Sequence, residues 1–445
     1  MVLLPAALVT LLVALYAVDV PYWDTWDWLD ALYPDPAAPA SDAIAGALFN
    51  GHRIAIPLAI DRVLFTVSSI YILPRIWLKV PLSLATLWLL LRLLHRTSAG
   101  PASVLARLGL AAFAFTLAYW PMWMDARQYS MHIVVLALVA AVDIATGRGH
   151  PHVRAAATAA LCVMASLSYG PGLFTWPFVF ALLWVRSPRP STLALGLWVA
   201  AAAATVGLHA VQMRQTTSFA DTASPGGVAV VHVAAAVAGL PAAPSTPALA
   251  YRATRVMGVV GLGLFAALAT IALRCPWRMQ ALPWIAIGGW ATTYAVAAGL
   301  ARGGLGLPAL HDPRFAYGSA FLWVAIVALL HLAATASVLD GPRITRARPV
   351  MLAASCLVAA GCLMASASPF VAPGGIGALH ARLSAGRACL AHLRTATDAC
   401  LEQLYPSAER LRAIALRLEG RHAAFLPAPR DDEGEPQSDE HHPVQ

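Results

Sequence analysis

An all-α, polytopic membrane fold is what this sequence predicts, and three observations predict it. The 445-residue chain is 59% hydrophobic and 12% charged, with a mean hydropathy of +0.67, whereas a soluble domain carries about 25% charged residues. Its apolar residues fall into runs of about the length that crosses a bilayer. Its arginines alternate between the loops joining those runs. The same numbers exclude disordered, collagen-like and disulfide-scaffold chains. A pI of 9.4 invites a nucleic-acid reading, but the arginines stand singly and in pairs between apolar runs, as membrane topology requires. The partner this composition implies is a lipid bilayer, with no nucleic acid.

The first run, residues 2–18, has no Lys or Arg before it and so reads as an uncleaved first helix rather than a signal peptide. Ten more follow at 75–94, 108–122, 131–146, 155–168, 173–185, 192–211, 256–273, 281–300, 316–335 and 350–366, giving about 11 transmembrane helices. The positive-inside rule supports the count. Twelve arginines (Arg92, Arg96, Arg107, Arg148, Arg154, Arg186, Arg189, Arg274, Arg278, Arg343, Arg346 and Arg348) fall in one set of loops. Six (Arg127, Arg214, Arg252, Arg255, Arg302 and Arg314) fall in the other. The N-terminus is then cytoplasmic, and the first loop and the C-terminal tail are external. Counting 53–73 as a span would invert every later loop, so it reads as an interfacial helix with its polar face toward water. Residues 228–240 are too short to cross comfortably and read as interfacial or re-entrant.

Three regions result: a transmembrane domain over 1–366, whose first external loop is 19–74; an external helical tail over 367–426; and an acidic end, 427–445, with a disordered composition. Tail leucines at helical spacing (Leu379, Leu383, Leu390, Leu393, then Leu404, Leu411, Ile414 and Leu418) predict helices, with a new one starting at Pro406. Cys389 and Cys400 would stand about 16 Å apart on one continuous helix, too far to bond. A turn near 395–397 would join them, so a disulfide and two free thiols both stay open. The six cysteines show no metal-ligand spacing, and no cofactor or divalent metal is indicated.

Scarcity picks out the candidate chemistry. No Glu precedes Glu402, and seven of the thirteen carboxylates before residue 400 lie between Asp19 and Asp61. Lys79 is the one lysine, a bias that reads as coding composition with little chemistry in it. In Pro21-Tyr-Trp-Asp-Thr-Trp-Asp-Trp-Leu-Asp30, Asp24 and Asp27 share a face if the segment is helical. The tryptophans read as an interfacial belt. A carboxylate partly desolvated there is placed to act as a general base on a hydroxyl. His52 and Arg53 either snorkel to headgroups or bind a phosphate. Arg127 and Gln128, in Trp120-Pro-Met-Trp-Met-Asp-Ala-Arg-Gln-Tyr-Ser-Met-His132, and Arg314 and Tyr317, at the start of a late span, lie on the same side.

At these residues the chain resembles bacterial integral-membrane glycosyltransferases of the GT-C superfamily, which draw sugars from polyprenyl-phosphate carriers. The resemblance lies in a short first helix and an acidic external loop (Tyr22-Trp-Asp-Thr-Trp-Asp27). A His-containing stretch (Gly51-His-Arg…Pro57) then leads to a span ending in Leu91-Arg-Leu-Leu-His-Arg96. More narrowly, Gly172-Leu-Phe-Thr-Trp-Pro177, Arg314-Phe315 and Cys400-Leu-Glu-Gln-Leu-Tyr-Pro406 are similar to motifs of a poorly characterised bacterial multi-pass group. The resemblance implies a GT-C-like enzyme of the cytoplasmic (inner) membrane. It would move a sugar, with inversion, from a polyprenyl-phosphate-linked donor to an envelope glycan or lipid acceptor on the outer face. In that superfamily a first-loop Asp serves as base or holds a metal, which carries over by position to Asp24 or Asp27. The Asp-x-x-Asp spacing departs from the adjacent acids or Asp-x-Asp of many members and argues against a bridging metal. The alternative is a transporter or flippase of lipid-linked precursors. Transporters place ionisable residues near the midplane, whereas here the polar residues gather at one surface.

Overall fold

The structure, a computed structural model, describes residues 1–33, 48–49, 52–68, 70–98, 102–213, 247–302, 317–336, 370, 374–419 and 423–426. Among these the chain is helical apart from one short antiparallel ladder, in which β1 (Leu48–Phe49) pairs with β2 (His52–Arg53), and one isolated bridge between Ile70 and Ala423. The predicted run 350–366, the segment 228–240, Cys356, Cys362 and Arg314 lie outside the described residues.

Helices occupy the other predicted runs. In chain order they are α1 (Leu4–Tyr16), α2 (Thr25–Leu32), α3 (Ala55–Ser68), α4 (Leu73–Thr97), α5 (Val104–Ala114), α6 (Trp120–Met124), α7 (Tyr129–Ala145), α8 (Pro151–Ser166), α9 (Thr175–Val185), α10 (Thr192–Met213), α11 (Pro247–Arg274), α12 (Arg278–Arg302) and α13 (Ala320–Ala336). Five helical stretches are long and apolar enough to cross a membrane: Leu73–Thr97, Val104–Met124, Ala126–Ala145, Thr192–Val211 and Arg252–Arg274. Leu4–Tyr16, Gly170–Val185 and Ala320–Thr335 are apolar but shorter. The protein is thus a helical membrane protein. Among the described residues five stretches, not the expected eleven, meet both length and hydropathy.

The apolar pattern decides which helices are central. The α13 sequence is apolar on all sides, and an all-apolar helix belongs in a core; every residue from Ala320 to Leu332 is buried. It packs against α5, α11 and α12. Outer helices instead turn apolar side chains outward, as with Leu193 and Leu197 on α10 and Val259 and Val260 on α11. Outward leucine and valine suit lipid rather than water.

Two local expectations need correction. The run 108–122 is not one continuous helix. α5 ends at Ala114, the Thr116 hydroxyl caps the Ala118 N–H, and α6 restarts with Pro121 in its first turn. The Trp123 indole N–H donates to the Thr116 carbonyl at 3.0 Å and staples the break. The second correction concerns α3, whose Asp61 points inward rather than to water and is fully buried. Its carboxylate pairs with the equally buried Arg75 of α4 at 2.8 Å, because a buried charge needs a partner of opposite sign.

The tail folds into α14 (Ile376–Leu390), α15 (Asp398–Leu401) and α16 (Ala408–Glu419). Cys389 and Cys400 form a disulfide, with their Cα atoms 5.9 Å apart. The turn that brings them together packs closely: a Cβ on Gly386 would stand 2.5 Å from the Leu404 side chain.

Candidate functional site

The tail hairpin docks on the first loop, and the carboxylates lie at that junction. The Trp23 N–H donates to the Leu404 carbonyl at 2.8 Å. Trp23 has φ +49°, a left-handed conformation that a bulky side chain adopts only when its surroundings enforce it. It is followed at once by Asp24 and by α2. This α2 buries Trp26, Trp28 and Leu29, so Asp24, Asp27 and Asp30 fall on the face turned away from the core.

Each of the three meets guanidinium groups. Asp24 pairs with Arg127 at 2.7 Å, and Arg127 also holds Asp125 at 3.0 Å. Asp27 accepts a 2.7 Å hydrogen bond from the Tyr405 hydroxyl and pairs with Arg410 at 2.8 Å. Asp30 pairs with Arg410 at 3.3 Å and with Arg417. Two acids are therefore clamped by the tail and one by the loop before α7. Burial pushes the Asp27 carboxyl above its ordinary value of 3.8, against the pull of Tyr405 and Arg410, and the charges of Asp24 and Asp30 add to the rise. Burial and the bond to Asp27 push the Tyr405 hydroxyl up to about 12.

The loop carrying Arg127 is held from below. Asp125 accepts from the Arg127 backbone N–H at 3.0 Å and from the Gln128 amide at 3.1 Å. Burial favours the neutral form of Asp125, but Arg127 outweighs it, with help from Lys79, and holds the carboxyl well below the usual range. Lys79, set aside in the sequence as carrying little chemistry, is fully buried. Its ammonium donates to the carbonyls of Met122, Trp123 and Asp125 at 2.7–2.9 Å. A cation at the carbonyl end of α6 satisfies groups the helix leaves open. The signal was present in the sequence: a lone lysine inside an apolar span is costly unless it is used.

A second anchor lies beside it. The Tyr129 hydroxyl lies within hydrogen-bond distance of the Asp61 carboxylate at 2.8 Å and of the Pro57 carbonyl at 2.7 Å, with one proton to donate between them, and Arg75 lies over the Trp28 ring at 5.5 Å. Asp19, also buried, accepts the backbone N–H groups of Ile72 and Leu73 at 2.6 and 3.1 Å, where α4 begins and a carboxylate is favoured.

The other predicted site residues are spread apart. Arg53 is buried and donates to the Leu208 carbonyl of α10 at 3.3 Å. The His52 side chain, like Arg314, is outside the described residues. Tyr317 is fully buried and stacks on His132 with ring centres 4.4 Å apart. Arg127 joins Asp24, and Gln128 bonds Asp125 beside it, whereas Tyr405, Arg410 and Arg417 were not singled out in the sequence.

Among the described residues, no three His, Cys, Asp or Glu side chains are grouped to hold a metal ion. Asp24 and Asp27 each face guanidinium groups.

No protein-family model matches the sequence, and no curated protein matches it. Among solved structures, the chain is similar to the archaeal oligosaccharyltransferase AglB from Archaeoglobus fulgidus, solved in complex with an inhibitory peptide and a dolichol-phosphate. Identity is 14% and the TM-score 0.46, over 91% of this chain and 59% of that one. The chain thus spans about three-fifths of that protein's length.

Proposed function

We propose that the protein is a GT-C-like membrane glycosyltransferase acting at the bundle end that carries Asp24. The carrying observation is the Asp24–Arg127–Asp125 chain. It is a carboxylate about 20% exposed, oriented by an arginine that is itself braced by the half-buried Asp125 and by the Lys79-held loop. Asp24 takes the proton from an acceptor hydroxyl, and a base so held keeps its geometry through the reaction. Asp27 is the second candidate for that role, within the same α2 turn.

The donor in this reading is a sugar on a polyprenyl phosphate, and the acceptor an envelope glycan or lipid at the outer face of a bacterial inner membrane. As the sugar leaves with inversion, negative charge grows on the carrier phosphate and calls for preorganised cations. Arg314, Arg53 and His52 are the candidates for that role. The buried Arg75 and Lys79 do not favour the transporter alternative, because both lie in the first two turns of α4 and tie loops at the site's end.

The test compares lipid-linked sugars and envelope glycans in a deletion strain complemented with wild-type, Asp24→Asn or Asp27→Asn protein at equal abundance. Loss of a positioned general base costs about 10²–10⁴-fold in rate. Asp24→Asn is therefore expected to accumulate the lipid-linked donor and lose the modified glycan. Wild-type profiles in both variants would remove the enzyme reading and favour the transporter.

A further inference from the structure

The opposite end of the bundle holds a cavity of about 630 Å³ that the transfer reading does not use. It lies where α4 and α7 end, about 30 Å along the 25-residue α4 from its first turn. Four arginines line it: Arg92, Arg96, Arg148 and Arg186, with Met279 and Gln280 of α12 forming another wall.

The charges there do not balance. Asp143 is the one described carboxylate at this end, and it is already shared: Arg96 binds it, and Arg92 approaches at 3.4 Å. Arg96 also donates to the carbonyls of Asp143 and Thr146, at 3.1 and 2.8 Å, so it is fixed. Arg148 is exposed and Arg186 half-exposed, and neither has an ion pair among the described residues. Arg186 moreover stands close enough to the buried Arg154 for the two charges to repel.

We propose that this cavity binds a phosphate-ester anion, gripped by Arg148 and Arg186 and flanked by Arg92. Guanidinium forks match the paired oxygens of a phosphate, and an anion relieves the repulsion among the arginines. The volume lies in the range of about 300–1,000 Å³ that organic ligands fill and exceeds what a bare phosphate needs. The apolar wall at Met279 and Pro283 receives the organic part of the ester. The ester is either an anionic lipid headgroup or a soluble phosphorylated compound. The proposal is independent of the chemistry at Asp24.

The test uses the full chain in dodecyl maltoside, a detergent without phosphate, and reads thermal stability against two titrants, dioleoyl phosphatidylglycerol and glycerol 3-phosphate. A saturable rise in Tm is expected with one of them. A response to the lipid alone identifies a headgroup site, and a response to glycerol 3-phosphate identifies a soluble ligand. Arg148→Gln/Arg186→Gln is expected to weaken that binding about tenfold or more, as the loss of charge-assisted hydrogen bonds does. The exposed Arg62, distant from the cavity, supplies the control Arg62→Gln, which is expected to leave binding unchanged. Should the double variant fold poorly, Arg148→Gln alone carries the test, since that side chain is exposed. No saturable shift with either titrant, or equal binding by the wild type and the cavity variant, would overturn the proposal.

Discussion

The two ends of the bundle use the same two side-chain types in opposite ways. At the Asp24 end, carboxylates and guanidiniums are matched: Asp24 with Arg127, Asp27 with Arg410, Asp30 with Arg417 and Asp61 with Arg75. At the other end, among the described residues, Asp143 is the one carboxylate beside four arginines, of which Arg92 and Arg96 contact it. A matched end holds its charges in fixed positions without a ligand, which suits groups that must wait in place for a reaction. An unmatched end is complete only when an anion arrives. Burial differs in parallel. Asp61 and Arg75 are wholly enclosed, whereas the Arg92 and Arg96 side chains are 50% and 28% exposed.

That contrast can be broken most directly at its buried pair. Arg75→Met strands the Asp61 charge in the interior, which costs about 3–5 kcal/mol. A large fall in the denaturation midpoint of detergent-purified protein is expected. Replacing both partners with apolar residues should recover most of it. A single variant as stable as the wild type would mean that the pair does not hold α3 to α4.

The tail comes next in size. Cys389 and Cys400 close a short loop, and such a link contributes about 2–4 kcal/mol. Cys389→Ser is expected to loosen the hairpin that supplies Tyr405 and Arg410, seen as faster proteolysis within 376–419, and reductant should do the same to the wild type. Unchanged protection under reductant would show that the hairpin holds without the bond.

At the arginine-rich end the same kind of change should cost little. Asp143 is itself buried, but Asp143→Asn leaves Arg92 and Arg96 partly in contact with water, so the loss is expected to be smaller than that of Arg75→Met, whose partner is wholly enclosed. A loss as large as that of Arg75→Met would erase the distinction between the ends.

The smallest effect is a pH shift. An acid whose pKa is raised takes up its proton at higher pH, so a rate that needs ionised Asp27 falls, on acidification, at a pH above 3.8. The acid limb of the transfer rate is expected there and should move in Asp27→Asn. An unmoved limb would assign it to another group.

Much of this was legible in the chain. Hydropathy is a local property, so the helices over residues 75–94, 192–211 and 281–300 follow from composition alone. The scarcity of carboxylates likewise drew attention to Asp24 and Asp27 before any fold was known. The partners were not legible, because pairing depends on which loops meet. Arg127 lies about a hundred residues from Asp24, and Tyr405 and Arg410 lie in a tail whose pattern shows only helices. Lys79 stood out as a lone lysine in a span, but the three carbonyls it meets come from residues 122–125, a partner that only the packing of the loop reveals.

By itself, then, the sequence determined a helical membrane protein, the helical tail and an acid-rich first loop, since each follows from the solvent its residues need and from spacing along the chain. Tertiary structure alone decided that Asp61 turns inward to Arg75, that the tail closes over the first loop, and that arginines from the ends of α4, α7 and α9 line one cavity. Those outcomes depend on long-range packing. In a low-dielectric interior, charges must find partners wherever the packed helices bring them.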